Sequence, residues 1–123
     1  MAQAQVRSDQ AHKRTVTFQI KDIAQFLQEN LGQKLVAYLA DVADPKTVGK
    51  WAVGQQPRHD AETRLRAAFQ IFHLLQSDES PHTVRAWFIG MNPQLDDLSP
   101  AQAIREGRER DALVAAKAYV AGG

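Results

Sequence analysis

The chain has 123 residues, 44% of them hydrophobic and 24% charged, which suits one compact domain or two small lobes sharing a core. Net charge is only +1 and cysteine is absent, so disulfides, thiolate metal sites and cysteine nucleophiles are excluded and a cytoplasmic setting is expected. No apolar run approaches the roughly 18 residues of a transmembrane helix, and the opening stretch MAQAQVRSDQAHKR lacks the apolar centre of a secretory signal.

Charge is unevenly placed. Residues 1–30 carry four basic and three acidic groups, residues 31–66 six and four, and residues 67–123 five and seven. The mildly basic middle permits a phosphate-binding surface, and ordinary solvated faces explain the same totals.

In chain order, residues 1–14 are polar and small and read as a flexible tail. Val16, Phe18 and Ile20 alternate with polar residues; one strand makes no sheet, so they read as an arm laid on the core. The period then becomes helical: Ile20, Ile23, Ala24, Leu27 and Leu31 share one face, and Gly32 stops the helix in a left-handed conformation. A second short helix over 33–41 turns Leu35, Val36 and Leu39 inward. A third over 45–53 has Asp44 as its cap, Gly54 as its stop and Pro45 at the first helical position, where a missing N–H costs nothing.

After the turn QQPRHD, the longest helix is expected over 58–77 with Ala61, Leu65, Ala68, Phe69, Phe72 and Leu75 as its apolar stripe. Ser80 caps a fifth helix that opens on Pro81 and turns Val84, Trp87 and Phe88 inward. GMNPQLDDL reads as a loop from which Leu95 and Leu98 return to the core. Ser99 and Gln102 form a capping box for a short helix to about Glu106, Gly107 ends it, and a last helix from about Glu109 uses Leu113, Ala116 and Val120. No period of about 20–50 residues repeats. The expected fold class is all-α, a compact bundle of about seven short helices.

The helices at 33–41 and 45–53 have the spacing of a helix-turn-helix, whose second helix enters the major groove. Val48 and Trp51 face the first helix, which leaves Lys46 and Lys50 on one exposed side, where a groove or its phosphates can meet them. Gly49 costs a helix about 1 kcal/mol relative to alanine, so something approaches it closely: a DNA backbone on one reading, a packed neighbour on the other. Lys34 and Arg58 flank the motif and are placed to touch phosphates, or are plain surface cations.

QKLVAYLADVADPKTVGKWAVGQQPR resembles the helix-turn-helix of Xre-type regulators through Gln33 and the pattern of Thr47, Val48, Trp51 and Gly54. It departs from that pattern in a turn, within LADVAD, that is one residue longer and holds no glycine. The resemblance implies Lys46, Thr47 and Lys50 as groove and phosphate contacts. Downstream, Trp87, Asn92, Pro93, Leu95, Pro100, Ile104, Gly107 and Val114 resemble, in order and spacing, the toxin-binding domain of the Xre/MbcA/ParS antitoxin family. Together the two resemblances cover roughly residues 20–121.

The resemblance implies a tail at 1–14, an Xre-like domain at 15–78 and a toxin-binding domain at 79–123. It further implies a homodimer on operator DNA and a RES-domain toxin as partner, an NAD⁺-destroying protein whose active-site entrance the antitoxin occupies. Arg105, Arg108, Arg110 and Asp111 are the charged candidates for the toxin-facing surface, and a solvated helix face explains each equally well. Two alternatives stay open: a stand-alone DNA-binding regulator, and a protein-interaction module with a degenerate helix-turn-helix.

Catalytic signals are missing. His12, His59, His73 and His82 are scattered without metal-site spacing, and His73 reads as a packed or boundary residue. There is no phosphate loop, and Asp78–Glu79 and Asp96–Asp97 read as capping or solvated carboxylates. No nucleophile has an evident base, so the expectation is a non-enzyme without cofactor or metal.

Overall fold

Apolar residues recurring at three- and four-residue intervals fold into helices whose buried faces meet in one core. A computed structural model describes Ala11 and residues 18–122. Among the described residues there are, besides the helical residue Ala11, seven α-helices, one 3-10 turn at Pro93–Leu95 and no strand. The helices are α1 (Ile20–Leu31), α2 (Gln33–Ala40), α3 (Lys46–Ala52), α4 (His59–Gln76), α5 (Pro81–Ile89), α6 (Pro100–Arg105) and α7 (Glu109–Val120). The all-α bundle expected from the sequence is the observed fold. The flexible-tail reading of 1–14 and the place of Val16 in the arm lie outside the described residues, except for Ala11, which is helical and buried.

Helix α4 is the axis. It packs against α1, α2, α5, α6 and α7. Its predicted stripe is buried throughout, and Ile71 and Leu74 are buried as well, because helices cover α4 on more than one side. Each fully buried Leu, Ile or Phe contributes about 1.5–3 kcal/mol. Phe26 meets Phe69 and Phe72 edge-on at 5.3 and 5.1 Å and stacks on His73 at 4.7 Å, so His73 is a half-buried packing residue at the rim of the core.

Local chemistry sets several helix ends. Ser80 Oγ accepts from Thr83 N–H at 3.2 Å, and Ser99 Oγ accepts from Gln102 N–H at 3.0 Å. The expected reciprocal half of the second cap is not made: Gln102 Nε2 donates forward to Glu106 Oε2 at 2.9 Å, one turn along the helix. Gly32 has φ +87 with ψ 152, an extended glycine conformation rather than the left-handed helical one expected, and it turns the chain directly from α1 into α2.

The inward face of α7 also differs from expectation. Ala112, Ala115 and Ala116 are buried, whereas Leu113 and Val120 are half-buried. Three small side chains let α7 lie close against α4, and the larger ones flank that seam. Helix α2 packs on both α4 and α6, so side chains from both halves of the sequence join one core.

Candidate nucleic-acid interface

A seven-residue helix is marginal by itself, so α3 depends on its surroundings. Val48, Trp51 and Ala52 are buried, and α3 packs against α1 and α2. Both ends are tied. Asp44 Oδ1 accepts from Lys46 N–H at 3.0 Å, as its capping role predicts, and Pro45 has helical angles at the entrance. At the other end Gln25 Nε2, from α1, donates to Ala52 O at 2.7 Å and satisfies a carbonyl the helix leaves open.

The turn between α2 and α3 contains no glycine, and Asp41 takes its place. Asp41 has φ 62 and ψ 46, in the left-handed region that Asp tolerates better than most residues. Its N–H donates to Tyr38 O and that of Val42 to Ala37 O, which closes α2.

Gly49 faces the protein itself. A Cβ built there would lie 3.1 Å from Gln33 Nε2 and 3.6 Å from Gln28 Oε1, two side chains already hydrogen-bonded to each other at 2.7 Å. The close neighbour required by this glycine is therefore an amide pair from α1 and α2.

Four of the five DNA-contact candidates divide between two hollows beside α3. Lys34 and Lys46 line one open groove at the starts of α2 and α3, together with Arg85 of α5. Thr47 and Arg58 line a second depression with Trp51, Gln55 and Arg64. Lys50 is exposed on α3 and lines neither of these two hollows. Lys34, Lys46, Lys50 and Arg58 are all exposed and form no ion pair among the described residues. By contrast Arg64, Arg66, Arg105 and Arg108 each sit within 4 Å of a carboxylate. Sequence reasoning missed Arg85: it lies in a predicted apolar helix, and nothing local signals that its neighbours in space are lysines of another segment.

The four charged candidates of the C-terminal half are differently engaged. Arg105 Nη1 donates to Tyr38 O at 2.6 Å, its Nη2 lies 3.0 Å from Asp41 Oδ1, and its guanidinium covers the Tyr38 ring at 4.7 Å. Arg108 Nε donates to Asp111 Oδ2 at 2.9 Å and its Nη2 reaches Asp96 Oδ2 at 3.4 Å; the hydrogen bond to Asp111 is the main reason its pKa rises further above the ordinary guanidinium value. Arg110 is exposed and has no ion-pair partner among the described residues. Arg105, Arg108 and Asp111 thus already serve contacts within the chain.

Among the described residues no three His, Asp or Glu converge as a metal site, and no helix is long and apolar enough to cross a membrane. No family model, curated protein or solved structure matches this chain.

Proposed function

We propose that this protein is a DNA-binding antitoxin that represses its own promoter and blocks a RES-type, NAD⁺-degrading toxin. One observation carries the DNA-binding part: α3 is anchored by Val48 and Trp51, capped at both ends, and presents Lys46 and Lys50 to solvent without acidic partners. A short helix held rigidly, with uncompensated cations outward, is what docking against a phosphate-lined groove requires. The toxin-blocking part is supported by the resemblance of residues 86–120 to the Xre/MbcA/ParS toxin-binding domain. The proposed assembly is a homodimer on a two-fold operator, acting in the cytoplasm by occlusion and repression without catalysis.

Co-expression with the product of a neighbouring RES-type gene tests the toxin half. A stable complex and preserved cellular NAD⁺ are expected; no complex, with NAD⁺ lost as fast as without the protein, removes the antitoxin role. A salt-dependent gel shift on the upstream DNA tests the other half, with Lys46→Ala and Lys50→Ala each flattening the salt slope by about one.

The stand-alone regulator is a second reading with an observation of its own. Arg105, Arg108 and Asp111, three of the four charged candidates for the toxin face, are paired within the chain. Promoter binding without any toxin complex would select it.

A further inference from the structure

The groove at the starts of α2 and α3 draws on three separated parts of the chain. Lys34 lies in the first turn of α2, Lys46 opens α3, and Arg85 arrives from α5. Arg85 is held in place by Nε, which donates to Leu31 O at 3.2 Å, so one edge of its guanidinium is used for positioning. None of the three cations forms an ion pair among the described residues. Asp44 is the carboxylate in the groove lining, and it is turned to the Lys46 backbone N–H at 3.0 Å.

We propose that this groove seats a phosphodiester of the DNA backbone, with Arg85 as a phosphate contact supplied by the C-terminal half of the chain. Three cations, of which Arg85 is held by its bond to Leu31 O, against one occupied carboxylate leave a local excess of positive charge beside α3. The planar guanidinium, anchored through one nitrogen, offers its remaining N–H groups to phosphate oxygens in the geometry that arginine favours. The groove is open to solvent and continues the side of the molecule on which α3 begins, so a backbone strand passing α3 reaches it. This inference rests on the DNA-binding reading above and adds a contact that lies outside the helix-turn-helix.

The test is fluorescence anisotropy on a labelled duplex of the upstream region and on an unrelated duplex of equal length, across a salt series. Arg85→Gln is expected to reduce the salt slope by about one and to weaken both duplexes by roughly eight-fold near 0.1 M salt. Arg85→Lys should restore the slope, and thermal melting of each variant checks that α5 still holds α1. Unchanged slope and affinity in a folded Arg85→Gln variant overturn this inference while leaving DNA binding intact. A wild-type protein that binds neither duplex at low salt overturns the DNA-binding reading itself. Retention of a polyglutamate peptide through Arg85, with duplex binding unaffected, would assign the groove to an acidic protein instead.

Discussion

Arg105 on α6 lies 3.0 Å from Asp41, the left-handed residue that forms the turn between α2 and α3. The same guanidinium donates to Tyr38 O at 2.6 Å, so the C-terminal half clamps the end of α2 at the point where the chain swings into α3. The missing turn glycine and the position of α6 are thereby linked: an aspartate supplies the left-handed geometry, and its charge is matched by an arginine from far along the chain. Arg105→Ala is expected to destabilise the fold by about 1–2 kcal/mol, a charge-assisted hydrogen bond discounted for partial exposure. Urea denaturation measures it. If the protein binds DNA, the variant should lose affinity with an unchanged salt slope, because Arg105 orients α3 without touching phosphate; a reduced slope would contradict that role.

Gly49→Ala is expected to stabilise the protein by about 0.5 kcal/mol. The gain in helix propensity is about 1 kcal/mol, and the new methyl must displace the Gln33 amide, now 3.1 Å from the Cβ position. Gln33 is exposed and its amide is the far end of a flexible side chain, so it gives way at the cost of an exposed hydrogen bond to Gln28. Thermal melting decides the sign. A loss above about 1 kcal/mol would show that the amide pair is held rigidly, in the range of overpacking.

The two members of the expected capping box should behave differently. Ser99→Ala removes the acceptor for Gln102 N–H and should cost about 1 kcal/mol. Gln102→Ala removes only a bond to Glu106 on the exposed helix surface and should cost at most about 0.5 kcal/mol. Equal losses in chemical denaturation would mean that Gln102 does reach back to the cap.

Tyr119 ties the end of α7 to the loop after α4, its hydroxyl donating to Glu79 Oε1 at 3.0 Å. That hydrogen bond, more than burial, raises the phenol above its usual pKa. A folded-state value above the unfolded one, about 10, means the contribution is complete below the unfolded value and disappears as pH rises through the folded value. Tyr119→Phe should therefore cost about 0.5 kcal/mol at neutral pH for this exposed bond. It should also lose less stability than the wild type between neutral and strongly alkaline pH. Parallel stability curves for the two proteins above pH 10 would exclude this coupling.

Helix existence and most helix ends were legible in the residues because their causes are local. A serine three residues before a free N–H, a proline at a first turn and a glycine after an apolar run act over a few positions. The buried stripe of α4 was readable for the same reason, since a period of 3.6 residues is a property of one segment. The inward residues of α7 were less so: its alanines gave little hydrophobic contrast, and the close seam with α4 selected them over Leu113.

The sequence by itself determined that this chain is helical, where most of its helices begin and end, and which short helix exposes Lys46 and Lys50. The tertiary structure alone decided who stands beside whom. It brought Arg85 to Lys34 and Lys46, spent Arg105 on the α2–α3 turn, capped α3 with Gln25 and placed the Gln28–Gln33 pair over Gly49. Helix ends follow from hydrogen bonds between near neighbours, whereas charge pairing and close approach follow from which helix faces meet. That choice is made by the packing of the whole core around α4.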